Sequence, residues 1–80
     1  MISRALVKEA FECYRDVRSE LQGIDEPTWE NLTSAQRIIF TRKAREYSIA
    51  PQVPLPANPA MLAFYNAVRG LVYQAKLGAV

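Results

Sequence analysis

From Ser3 to Gln22 the apolar residues Leu6, Ala10, Cys13, Val17 and Leu21 return every three or four positions, and Val7, Phe11 and Tyr14 widen the stripe. Lys8, Glu9, Glu12, Arg15, Asp16 and Glu20 fill the rest of the circumference. The spacing predicts an amphipathic helix with Ser3 as its N-cap, ending before Gly23, a residue suited to the left-handed position past a helix end. On this stripe Cys13 is expected as a buried small hydrophobe. As the chain's one cysteine it has no internal disulfide partner.

Gly23 to Leu32 reads as a connection holding a turn or short helix near 26–31, which Asp25 or Glu26 would begin with Pro27 in its first position. Trp29 and Leu32 are expected to point inward, the tryptophan as a plug between the first two helices. Thr33-Ser34-Ala35-Gln36 fits a capping box, in which the Thr33 hydroxyl and the Gln36 side chain each satisfy the other residue's backbone N–H. A second helix follows to about Ser48. At 100° per residue Ala35, Ile39, Phe40, Ala44 and Tyr47 share one half of it, whereas Ile38 falls among Arg42 and Arg45.

Four prolines between Pro51 and Pro59 forbid helix there and predict an extended strap at 50–58. Its reach of roughly 25 Å matches the roughly 24 Å of a sixteen-residue helix, so the strap could run back along the second helix and set the third parallel to it. Pro51 to Pro54 is also a PxxP spacing, but no Arg or Lys lies within four residues of it, which favours a structural strap. Asn58-Pro59 then starts a third helix that runs to about Leu77. That helix is apolar in most directions, with one narrow wet stripe of Asn66, Arg69, Tyr73 and Lys76. Ala60, Ala63, Ala67 and Gly70 form a row of small residues that would admit a close backbone approach.

Eighty residues make one domain, 1–80, and a chain so short buries only about 60% of its unfolded surface, which leaves little room for an enclosed active site. With 50% apolar and 22% charged residues the chain is expected to fold. The pattern as a whole predicts an all-α, three-helix domain. The formal charge of +2 is too small to announce nucleic acid unless the charges are gathered on one face. There is no histidine, so the usual neutral-pH acid–base group and the commonest metal ligand are missing. Glu9 with Glu12, and Asp25 with Glu26, read as solvated helix faces rather than acid–base pairs. No catalytic residue, metal ligand or cofactor is therefore expected. The start of the chain lacks a long apolar run, so neither a signal peptide nor a membrane span is expected and the location is expected to be cytoplasmic.

The series Trp29, Leu32, Arg37, Phe40 and Ala44, written WxxLxxxxRxx(aromatic)xxxA, follows a helix with Phe11 and Tyr14 and the loop glycine Gly23. This arrangement, over roughly residues 7–47, resembles a group of small helical proteins encoded by bacteriophages and prophages. That group usually has proline after the leucine, where this chain has Thr33. The resemblance implies a phage-type accessory or host-interaction protein and brings no particular site residues with it. A thinner likeness is to the HMG box, which also has WxxL ahead of a basic helix with an aromatic. The basic, proline-containing N-terminal strand and dense lysines of that family are absent.

The function expected from these observations is a non-enzymatic protein-interaction module, such as a phage-encoded inhibitor of a host protein, acting by steric binding. Its contact surface would be the apolar third helix, through Met61, Leu62, Tyr65, Val68, Arg69, Val72 and Tyr73, because two helices cannot cover all of that circumference. Ile38, Arg42 and Arg45 would form a second contact. The partner would be a host protein or a second copy in a homodimer, with no membrane involved. The alternative is a nucleic-acid-binding module using the cations Arg37, Arg42, Lys43 and Arg45 of the second helix, which by angle are scattered around it.

Overall fold

Every helix in this chain begins on a side chain that occupies the backbone donors a helix leaves unpaired. The computed structural model describes residues 2–78. They form α1 (Arg4–Gln22), a single 3-10 turn (Trp29–Asn31), α2 (Ser34–Ile49) and α3 (Pro59–Gly78), the all-α three-helix domain that the pattern predicts. The Ser3 hydroxyl accepts from the Leu6 N–H at 3.1 Å. Thr33 and Gln36 make both bonds of the capping box, at 3.2 and 3.0 Å. Asn58 Oδ1 accepts from the amides of Ala60 and Met61 at 2.9 and 3.2 Å. At the other end of α1, Gly23 takes φ +65°, and the amides of Gly23 and Ile24 turn back onto the carbonyls of Ser19 and Arg18.

The core is a run of aromatic rings that crosses all three helices. Phe11 of α1 meets Phe40 of α2 edge-on at 4.8 Å, and Phe40 meets Phe64 of α3 at 5.5 Å. Phe64 then meets Tyr47 at 6.1 Å, and Tyr47 meets Tyr65 at 5.0 Å. Edge-to-face pairs of this kind add about 0.5–1.5 kcal/mol each beyond the area they bury. Phe11, Phe64, Val7 and Val68 are almost wholly shielded from water. Trp29 is buried against Phe11 at 5.7 Å and plugs the base of the first two helices, as expected.

α3 lies chiefly along α1, where Ala10 and Ala60 are both fully buried. It meets α2 chiefly through Phe64, whose ring touches both Phe40 and Tyr47, two turns apart on α2. Segment 50–58 holds neither helix nor strand and contains a cis Val53–Pro54 peptide. It starts against α3, where the Tyr65 hydroxyl accepts from the Gln52 N–H at 3.2 Å.

Three local expectations change. Cys13 and Leu21 are exposed. The buried face of α1 is centred on Val7, Phe11 and Tyr14, the bulkier side chains, and Cys13 lies roughly a third of a turn away. On α2 the inward stripe narrows to Phe40, Ala44 and Tyr47, and Ala35 and Ile39 are exposed. The turn opens at Thr28 rather than at Asp25 or Glu26, because Glu26 is engaged elsewhere.

Phe64→Ala should cost about 3–5 kcal/mol. A domain of this length holds about 4–12 kcal/mol in all, so urea denaturation should find the variant close to unfolded. Tyr73→Ala, at an exposed position, should change stability by no more than about 0.5 kcal/mol. A loss below about 1 kcal/mol at Phe64 would show that the ring junction is not what holds the helices together.

A candidate basic groove between the first two helices

The arginines divide by what their guanidinium groups touch. Arg18 reaches from α1 to Glu26 Oε1 with two nitrogens, at 3.0 and 2.8 Å, and lies over the Tyr14 ring. Arg15 donates to the Glu26 carbonyl and pairs with Glu12. These two side chains fasten the loop after α1 back onto that helix. Arg37 donates to the carbonyls of Trp29 and Glu30, at 3.2 and 2.8 Å, and so closes the C-terminal side of the 3-10 turn. Arg69 donates to the Tyr47 carbonyl at 3.1 Å, serving one of the orphan acceptors at the end of α2. Arg4, Arg42 and Arg45 have no ion-pair or hydrogen-bond partner for their guanidinium groups among the described residues.

Those three unpaired arginines line one open groove of about 820 Å³ between the start of α1 and the outer face of α2. Lys8 and Arg37 complete its cations, and Glu30 is its sole carboxylate. The lining thus carries a formal +4 while the whole chain carries +2, so everything outside the groove sums to −2. Charge that looks weak in total is strongly separated in space. Ile2 and Ile38 supply its accessible apolar wall, with Ile38 half exposed, while Val7 and Trp29 lie buried behind it.

Glu30 is occupied by Lys8. Its carboxyl is held below the ordinary range chiefly by the hydrogen bond from the Lys8 ammonium, aided by a bond from its own backbone. The same contact raises the Lys8 ammonium. A lowered carboxyl contributes its stabilisation above its unfolded titration range, and a raised ammonium contributes below its own. The pair therefore holds across the neutral range, and the groove's only acid stays engaged while Arg4, Arg42 and Arg45 do not. The Cys13 thiol, elsewhere on α1, is pushed up by partial burial and by Asp16, Glu9 and Glu12, which keeps it protonated near neutrality.

The expected contact residues part company in three dimensions. Tyr65 and Val68 are core residues, which corrects their expected place on a surface. Met61, Leu62 and Val72 are half-buried and packed against the core. Arg69 is tied to Tyr47. Of that set Tyr73 alone is well exposed, with Leu77 near the helix end beside it in sequence. The middle of α3 is shielded mainly by α1, with which it makes its most extensive contact, and segment 50–58 touches it at Tyr65. Gly70 is exposed and a Cβ there would touch nothing within 4 Å, so the row of small residues marks no close approach at that point.

Ile38, Arg42 and Arg45 do come together, on the groove wall. What the sequence reading missed is the opposite wall, Ile2, Arg4 and Lys8, together with the exposed apolar residues Ile49, Val53 and Leu55 around the proline segment. The charges of Arg4 and Lys8, four residues apart, were the available signal. No cluster of His, Cys, Asp or Glu able to hold a metal ion is found among the described residues, and no helix there is long and apolar enough to cross a membrane.

Arg37→Lys should lose about 1 kcal/mol of stability, because an ammonium cannot reproduce the fork that reaches two carbonyls. Arg42→Gln should lie within about 0.5 kcal/mol of the parent. Thermal unfolding of the two variants checks this. Equal losses at both positions would mean that Arg42 also has a structural duty. Compared with known proteins, the chain matches no family model, no curated protein and no solved structure.

Proposed function

We propose that this chain is a non-enzymatic protein-interaction module that binds an acidic surface of another protein through the groove between α1 and α2. The observation carrying this reading is the set of unpaired arginines, Arg4, Arg42 and Arg45, gathered with half-exposed Ile38 around one concavity. Unpaired guanidinium groups beside apolar surface are what protein interfaces enrich, since arginine combines bidentate carboxylate binding with a weakly hydrated planar body. Action is steric: the bound module covers its partner's surface. The likeness of residues 7–47 to small phage helical proteins supports a host protein as the bearer of that surface.

Binding through α3 is the weaker version, since the middle of that helix belongs to the core and its exposed apolar part is confined to Tyr73 and Leu77. Nucleic acid is the second reading, and the same gathered cations favour it. Against it stands the exposed isoleucine, which does not suit a phosphate backbone.

Trp29, the only tryptophan, lines the groove and reports on it. Poly-L-glutamate added at low ionic strength should change Trp29 fluorescence, and the effect should fade as salt is raised. Arg42→Glu should abolish the change. Lys76→Glu, the same change of charge on α3 away from the groove, should leave it in place. Equal loss in both variants, or no fluorescence response at all, would overturn the assignment of the groove.

A further inference from the structure

The chemistry of the groove is more specific than its charge. On α2, Ile38, Arg42 and Arg45 stand at i, i+4 and i+7, one ridge on one face of the helix. On α1, Arg4 and Lys8 stand at i and i+4, a second ridge, and both ridges line the same cavity. Cations therefore come from both walls, with Ile2 and Ile38 supplying apolar surface within the same concavity. A ligand that is only charged would leave this apolar surface wet, and one that is only apolar would leave three arginines beside it without counter-charge.

Backbone chemistry narrows the form of the ligand. The described residues contain no strand, so the groove has no sheet edge to pair with a partner's N–H and C=O groups. With β-pairing absent, the segment that loses least on docking is one whose backbone is already satisfied internally, an α-helix. The groove's concave shape also argues against a flat lipid surface, and the exposed Ile38 against a polyphosphate backbone. From this juxtaposition we infer that the groove takes an acidic amphipathic helix of a partner protein, one that sets an aliphatic side chain on Ile38 and carboxylates on Arg4, Arg42 and Arg45. This rests on the proposed role of the groove and adds the kind of segment that fills it.

The test uses the full chain and three probes. The first is a synthetic helical peptide with leucines along one face and glutamates on the others. The second is poly-L-glutamate of equal charge, and the third a DNA duplex of equal charge. At physiological ionic strength the amphipathic peptide should bind about tenfold more tightly than poly-L-glutamate, the factor that covering an exposed isoleucine provides. Ile38→Gln keeps helix propensity and should bring the two probes to equal affinity, while Tyr73→Gln, at an equally exposed site outside the groove, should keep the tenfold gap. Circular dichroism confirms that each variant is folded. If the two polypeptides bind equally and Ile38→Gln changes nothing, the amphipathic helix is wrong while the acidic-partner groove stands. If the duplex binds best and displaces the peptide, the ligand is nucleic acid and both the inferred helix and the protein-partner reading fail. If no probe binds, the groove itself is not a binding site.

Discussion

Phe64 is the point on which this small fold turns. It is fully buried, comes from the third helix, and touches Phe40 and Tyr47 of the second, while Phe40 in turn meets Phe11 of the first. A chain of eighty residues has no other place to build a core of comparable size. Phe40 and Tyr47 stand at i and i+7 on one face of α2, so a single ring of α3 seated between them fixes how the two helices meet. On the other side of α2, its outer face and the start of α1 border an open groove rather than closing against each other.

The arginines show how the same residue type serves two ends. Arg15, Arg18, Arg37 and Arg69 spend their hydrogen bonds on loop carbonyls, on Glu12, Gln22 and Glu26, and on the end of α2. In a domain with a thin core such bonds fasten connections that packing alone would leave loose, and each matters because a carbonyl without a partner is costly where water is excluded. Arg4, Arg42 and Arg45 do none of this. Their like charges are brought to one concavity, an arrangement that slightly opposes folding and would be relieved by a ligand of opposite sign. The separation of +4 on the groove from −2 on the remainder gives the molecule a direction in an electric field that its net charge conceals.

Helix limits were legible in the sequence because caps are local. Ser3, Gly23, Thr33 with Gln36, and Asn58 before Pro59 act within a few residues of themselves, and each does what its type and position imply. The burial of Trp29 was also legible, from its place beside the capping box. Depth along each helix was less so. Cys13 and Ile39 satisfy helical spacing, yet face water because the buried sector is chosen by the largest neighbours, Phe11 and Phe40, and by the angle at which other helices arrive. The covering of α3 depended on how closely α1 would lie along it, which no local pattern states, and proline content fixes the irregularity of segment 50–58 without fixing its course. Half of the groove was visible as Ile38, Arg42 and Arg45 on one wheel. Its other half stands on α1, and Arg37, which the wheel counted with the scattered cations, is held by Trp29 and Glu30.

Mapping amide chemical shifts residue by residue, as an acidic amphipathic peptide is added to the labelled chain, separates the groove from α3 most directly. The account predicts that the largest changes fall at Ile2 to Lys8, at Glu30 and at Ile38 to Arg45, with Tyr73 to Leu77 unmoved. Changes concentrated at Tyr73 and Leu77, with the arginine face silent, would contradict it.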